Sequence, residues 1–365
     1  MRESFEIRSS AGSYDVIIGA GLLGQVVTDY PNALFLVDTF FVDAIKRSGV
    51  RVVGVTASEQ AKSLEHVPEV IIRLRECGAN RGTHLVAIGG GVIQDVATFA
   101  ASVYMRGIPW TYMPTTLLGM ADSCIGGKSS INVAGYKNLI GNFYPPKHVV
   151  VDTEFANSLS AEQIVGGLFE AGKICYARGF AEFNEYLACE PTAQMNAEQI
   201  RKVVSGALRA KKWFIEVDEF DQNERLLLNF GHTFGHALEA GCDFGVSHGI
   251  AVGIGMLVAA RFASERALLS AAGARRVDGL VSHARGLLRS VDGMLEPPPT
   301  IDLARVSEKF ENDKKHYSER YRMVCPIRDG ELELIAEPRN ADTRKRILDA
   351  YRAALADIGW SSHIF

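Results

Sequence analysis

The feature that most restricts the fold is an alternation between residues 34 and 114, where short β-branched apolar runs are separated by segments of helical period. ALFLVD, VRVVGVT, HLVAIGGG and IPWTYMPTT read as strands, and TFFVDAIKRSG, SLEHVPEVIIRLRECG and VIQDVATFAASVYM as the helices between them. Strands that are apolar throughout must be covered on both faces, which a parallel sheet flanked by helices achieves. Ahead of them, SFEIRS and SYDVIIG alternate apolar and polar residues and read as paired strands.

The pattern changes near residue 155, after Tyr144-Pro145-Pro146 and the strand HVVVDT. A chain of 365 residues is too long for one ordinary core. The expected division is an α/β domain over 1–155 and an all-α domain over 156–365. In the second, helical periods cover roughly 160–190, 196–217, 223–241, 249–269, 272–290, 301–312 and 341–358. Ser160 and Gln163 form a capping-box signature, Pro297-Pro298-Pro299 breaks the series, and one late strand pair is expected around Arg328-Asp329-Gly330.

Three turns are candidates for holding an anion. GAGLLG at Gly19–Gly24 matches a dinucleotide fingerprint, but no apolar parallel strand precedes it and it reads as a loop. VAIGGGVIQD is different: a buried strand ends at Gly89-Gly90-Gly91 and a helix follows at once, aiming free amides at the strand's carboxyl end. The stretch DSCIGGKSSINVAGYKNLIGNFYPPK has no clear period and carries Lys128, Lys137 and Asn138, suited to an anion or simply to a solvated loop.

Histidines supply the other signal. His232 and His236 stand four apart on one helix face, and His248 follows after a glycine-rich break. Three protein ligands with an open position make a catalytic metal site, while a packed or solvated histidine pair is the alternative. Glu170 and Lys173 lie i,i+3 in an otherwise apolar helix, so Glu170 is the carboxylate for the metal or else the partner of Lys173. A net charge of −4 excludes a broad basic field and with it nucleic acid as a partner. The six cysteines are scattered without a CxxC pair, and the charged N-terminus lacks an apolar signal core. Gly249 to Ala260 is too short to span a bilayer, so the expectation is a cytoplasmic protein that does not enter membranes.

Together the motifs GGGVIQD, YMRG, PTTLL, DSCIGGK, KNLIGNFYPP, GLFEAGK, RLLLNFGHTFGH, SHG and NDKK resemble the dehydroquinate synthase family of sugar phosphate cyclases, in that family's order. The resemblance implies a Rossmann-like NAD-binding domain, then a helical domain holding one zinc, or cobalt, with the active site between them in a homodimer. It implies conversion of a small anionic sugar phosphate, 3-deoxy-arabino-heptulosonate 7-phosphate, to 3-dehydroquinate and phosphate. The steps are transient oxidation by NAD, phosphate elimination, re-reduction and aldol closure. Carried over by position, the metal ligands are Glu170, His232 and His248, and His236 turns to the substrate phosphate. Lys128, Asn138, Asn229 and Lys315 surround that phosphate, with Arg106 reaching in from the neighbouring subunit. Asp122, Lys137 and Lys173 hold the sugar hydroxyls and the metal-bound centre, and Lys211 and Arg225 receive the carboxylate. Gly89, Gly90, Gly91, Asp95, Thr115 and Thr116 contact NAD, with Asp38, Glu59 and Lys62 at its adenosine end.

The chain departs from the family pattern at Gln94, where glycine is usual, at Val133-Ala134, where His-Pro is usual, and at Ile250, where HGEAV has glutamate. These departures keep open a divergent cyclase for sedoheptulose 7-phosphate, glucose 6-phosphate or an amino sugar, and a metal-dependent polyol dehydrogenase stays open because glycerol dehydrogenase-like proteins share the two-domain plan. The pair Lys211 and Arg225 favours a carboxylated substrate.

Overall fold

A computed structural model describes residues 2–243, 245–291, 300–313, 316–360 and 364. The expected contact of Lys315 and the break at Pro297-Pro298-Pro299 lie outside the described residues. The chain forms two compact units, Met1–Leu159 with Asn196–Phe220, and Ser160–Met195 with Asp221–Phe365.

The first unit is built on β1 (Glu3–Ile7), β2 (Tyr14–Gly19), α1 (Leu23–Asp29), β3 (Leu34–Asp38), α2 (Val42–Lys46), β4 (Arg51–Val55), α3 (Val67–Glu76), β5 (Leu85–Gly89), α4 (Gly91–Val103) and β6 (Trp110–Pro114). After β7 (Ile131–Val133) and β8 (Tyr136–Ile140), β9 (His148–Asp152) returns to the main sheet. That sheet has seven strands in the order β1-β2-β9-β6-β5-β3-β4, parallel except for the β1–β2 hairpin. Strands β5 and β6 are buried at every residue, as their unbroken apolar sequences require. Strand β3 has β4 on one side and β5 on the other, so the winding reverses between β3 and β5. Ligands of doubly wound sheets sit outside the carboxyl ends of the strands at such a point. Asp38 ends β3 there and Gly89 ends β5.

Gly19–Gly24 does form a strand-to-helix turn, but its anion is supplied from within. The amides of Gly21, Leu22 and Leu23 donate to the carboxylate of Asp152 at 2.9, 2.6 and 3.0 Å. The stretch expected to be irregular after Asp122 is instead largely a hairpin. Lys128 bridges to Phe143, β7 pairs β8, and the tip turns through Ala134 and Gly135, both at positive φ. Its pattern was hidden because β8 has almost no buried residue from which a period could be read.

The second unit contains α5 (Ala161–Arg178), α6 (Phe180–Leu187), α8 (His232–Gly241), α9 (His248–Glu265), α10 (Ala271–Ser290), α11 (Leu303–Glu311) and α12 (Ala341–Asp357), with the hairpin β10 (Arg320–Ile327) and β11 (Glu331–Pro338). The capping box at Ser160 and Gln163 is present, and the late strand pair turns where expected. The helix expected from 223 begins only at His232, because Glu224–Asn229 is a 3-10 turn and Gly231 takes the left-handed region at φ 76. Between α6 and α8 the chain crosses to the first unit as α7 (Ala197–Val217). The face of α7 bearing Val203, Val204, Ala207 and Leu208 is buried, and α7 packs on β2, on the 3-10 turn 153–158 and on a π-helical turn, Gly119–Ser123. A segment expected inside a single C-terminal domain thus completes the α/β unit, since an amphipathic period says that a helix has a covered face but not what covers it. Among the described residues no helix is long and apolar enough to cross a membrane.

Candidate active site

In the second unit three helices meet through glycines. A Cβ on Gly249 would lie 2.4 Å from the Cα of Gly166, so α9 and α5 cross nearly backbone to backbone. A Cβ on Gly231 or Gly235 would lie 2.7 Å from a carbonyl oxygen of α9, which brings α8 equally close. Glu170 is one turn beyond Gly166, His248 precedes Gly249, and His232 follows Gly231. Small residues at the crossings therefore place the three side chains together.

Glu170 Oε1 is 3.5 Å from His232 Nε2 and 3.4 Å from His248 Nε2. Two donor atoms each ~2.1 Å from one zinc ion at the tetrahedral angle stand ~3.4 Å apart. The far side of each ring is tied down. His232 Nδ1 lies 3.3 Å from the carbonyl of Phe230, and His248 Nδ1 lies 3.1 Å from Glu239 Oε2. Both partners are acceptors, so each Nδ1 carries a proton and the metal-binding lone pair falls on Nε2. The donor set fits a divalent ion. His236 completes a triangle of rings, its centroid 5.2 Å from that of His232 and 5.4 Å from that of His248. The ligand nitrogens of all three histidines lie within 4.8 Å of one another.

Lys173 donates to Glu170, with both side chains buried. Burial alone would raise the Glu170 carboxyl, but Lys173 and His248 hold it far below the usual carboxylate range. Burial would lower His248, yet hydrogen bonds to Glu170 and Glu239 push it up to about 9. Glu170 thus serves both readings of the sequence, as partner of Lys173 and as a donor facing two histidines. Helices α8 and α9 begin at His232 and His248 without a side-chain cap, which leaves their first amides and positive dipole ends for an anion. Asn229 and the buried Arg225 lie on the 3-10 turn just before α8.

In the first unit, α4 also starts without a side-chain cap, at Gly90. A Cβ on Gly89 would lie 2.4 Å from a carbon of Ile93, and one on Gly91 would meet nothing within 4 Å. The turn is thus tight on its inner side and open where a phosphate would approach. Thr115 donates its amide to the carbonyl of Gly89 at 3.0 Å, and a Cβ on Gly90 would touch the Thr116 methyl at 3.0 Å, so both threonines adjoin the turn. Thr39 and Ala61, neighbours of Asp38 and Lys62, line a cavity of about 530 Å³ with Val55, Thr56, His66 and Arg73.

Lys62, expected at the adenosine end of NAD, is held by protein groups. Its ammonium is buried and donates to Asp95 at 2.9 Å and Asn138 at 3.1 Å, with Glu59 at 3.5 Å. Its three donors are engaged within the protein, which makes it a strut between α4 and the β7–β8 hairpin. Asn132 strengthens the strut by donating to Glu59 at 2.8 Å and accepting from the amide of Asn138 at 2.8 Å. Burial pushes the Asp95 carboxyl up to about 6 against the pull of Lys62. Lys211 is ion-paired with Asp122 at 2.5 Å. Gln94 and Ser123 exchange two hydrogen bonds of 2.6 Å, so the residue that departs from the family pattern pins the π-helical turn carrying Asp122 to α4. Lys128 lies 5.8 Å from the Phe143 ring, and Lys137 and Arg106 are exposed. Sequence reasoning missed Glu239 and Asp152. An acidic residue in HALEAG, one turn after His236, was the available signal for the first, and an aspartate closing HVVVD for the second.

Residues 52–166 match the profile of the 3-dehydroquinate synthase N-terminal family, and residues 167–316 that of the 3-dehydroquinate synthase C-terminal family. A 3-dehydroquinate synthase of Dictyoglomus turgidum is 32% identical over 343 residues, covering 91% of this chain and 94% of the relative. One from Pelobacter propionicus is 37% identical over 332 residues, covering 86% and 90%. Among solved structures, a 2-deoxy-scyllo-inosose synthase complexed with carbaglucose-6-phosphate, NAD+ and Co2+ superposes with a TM-score of 0.81 at 23% identity, covering 96% of this chain and all of the other. At that identity the likeness establishes the fold.

Proposed function

The chain belongs to the 3-dehydroquinate synthase family, and from that premise we propose that it is a sugar phosphate cyclase converting 3-deoxy-arabino-heptulosonate 7-phosphate to 3-dehydroquinate and phosphate. The observation that carries the reading is the spacing of Glu170 Oε1 from two histidine Nε2 atoms, 3.5 and 3.4 Å, with both rings anchored through Nδ1. NAD, when bound, supplies the acceptor and donor of one hydride, and the divalent ion supplies Lewis acidity at the hydroxyl being oxidised.

The chain's own groups do the positioning. Glu170, His232 and His248 hold the ion, and Lys173 keeps a cation beside them at the reacting centre. The uncapped start of α8, with Asn229 and His236, receives the substrate phosphate, and Arg225 receives its carboxylate. The Gly89–Gly91 turn takes the pyrophosphate of NAD, and Asp95, Thr115 and Thr116 adjoin it. The reading assigns no side chain among the described residues as a base for the elimination. The leaving phosphate takes that proton itself, and the protein contributes by fixing the geometry. The proposal includes a cytoplasmic homodimer in which Arg106 serves the neighbouring subunit, supported by the exposure of that side chain.

The test is incubation of purified protein, NAD and zinc with the heptulosonate phosphate and with uncarboxylated sugar phosphates, following inorganic phosphate, product mass and NADH. One phosphate per 3-dehydroquinate with no net NADH is expected. Phosphate release from the uncarboxylated sugars alone, or NADH accumulating with product, would refute it.

A further inference from the structure

Glu239 is not among the residues assigned to the metal, the substrate or NAD, yet among the described residues it is the carboxylate besides Glu170 shown against His248. It sits on α8, seven residues after His232 and three after His236, on the helix packed most extensively against α9. Its Oε2 lies 3.1 Å from His248 Nδ1 while the same ring's Nε2 faces Glu170 at 3.4 Å. An ionised carboxylate only accepts hydrogen bonds, so this contact requires the proton on Nδ1 and leaves Nε2 as the donor atom. His248 needs such a fixture. It is the first residue of α9, its N-cap Ser247 makes no side-chain cap bond, and its side chain is 38% exposed.

We propose that Glu239 is the positioning residue that makes His248 a metal ligand, by fixing its tautomer and its ring orientation from a different helix. The inference rests on the metal centre proposed above. His232 Nδ1, by contrast, faces the backbone carbonyl of Phe230 within its own turn.

The experiment measures zinc affinity by chelator competition, and the visible spectrum of the cobalt-loaded protein, for the wild type, Glu239→Ala, Glu239→Leu and Glu239→Gln. Loss of an outer carboxylate on a ligand histidine lowers metal affinity about 10–100-fold. That loss is expected for Ala and Leu, with an altered cobalt spectrum, and Gln should recover most of it because its amide oxygen still accepts from Nδ1. The metal-free Tm of Ala and Leu should fall with the lost His248–Glu239 contact, and the metal-induced rise in Tm should shrink as well. A merely structural role would move the metal-free Tm but leave the metal-induced rise and the cobalt spectrum as in the wild type. Wild-type metal affinity in either Ala or Leu overturns the proposal, and two variants are used so that a folding failure in one leaves the other to decide. A wild-type protein that binds no stoichiometric divalent ion overturns the underlying metal centre instead.

Discussion

Replacing Gly249 by alanine tests whether a helix crossing sets the metal centre. The added Cβ would stand 2.4 Å from Gly166 Cα, 2.6 Å from its oxygen and 2.7 Å from its carbonyl carbon, where ordinary contact begins at 3.4 Å. All three atoms are backbone, so no side chain can swing aside, and α5 and α9 must part by about 1 Å at this point. Overpacking of a filled core costs about 1–3 kcal/mol, partly offset by up to about 1 kcal/mol of better helix propensity. The larger effect is on geometry. Gly166 lies one turn before Glu170 and Gly249 adjoins His248, so the same movement lengthens the 3.4 Å separation of their donor atoms. Metal sites tolerate about 0.2 Å in ligand distance, so zinc affinity should fall on the order of 10–100-fold. Gly286→Ala on α10, where a Cβ meets nothing within 4 Å, is the matched control and should gain about 0.5–1 kcal/mol. Chelator competition and thermal melting of the metal-free proteins read the two effects separately. Unchanged zinc affinity in Gly249→Ala would show that the close crossing does not govern the centre.

Three further outcomes are expected. His236→Ala should retain zinc by elemental analysis while losing turnover, and loss of the metal would instead make the site a three-histidine one. Arg225→Ala should keep its metal and raise KM for a carboxylated substrate about 10–100-fold, the range for one or two hydrogen bonds to a charged group. Zinc loss in that variant would show that Arg225 has another task. The half-buried ring of His283, whose Nε2 is 2.9 Å from the Tyr186 hydroxyl, is pushed by burial down to about 4. Its neutral form is favoured by folding, so that stability is complete above the unfolded value of 6.5 and is lost as pH falls towards 4. A shift of this size is worth about 3 kcal/mol, so urea midpoints of the wild type should drop over that window more steeply than those of His283→Phe. Parallel curves would contradict the argument.

The alternation that fixed the fold class is local and was legible. Strand order was not, because β9 joins β2 to β6 from more than thirty residues beyond β6. The two glycine turns show the same limit in the site. Gly19–Gly24 and Gly89–Gly91 look alike in sequence, and the difference between them is Asp152, 128 residues beyond Gly24, which fills the first turn and leaves the second open. The spacing of His232 and His236 pointed at a helical pair because spacing reports helix faces. Ligand choice depends on what each far nitrogen touches, and Phe230 and Glu239 answer that for His232 and His248. The departure at Ile250 then has a physical consequence. Ile250 is fully buried two residues after His248 on α9, and side chains two apart on a helix do not share a face, so a glutamate there would enter the core rather than join His248. The acidic groups shown against His248 are Glu170 and Glu239, and Lys173 balances the first. Because position 250 does not share the face of His248, Ile250→Glu should lower stability by burying a charge and leave the loss of zinc affinity in Glu239→Ala unrelieved, and a zinc titration of the double variant that recovers wild-type affinity would refute this.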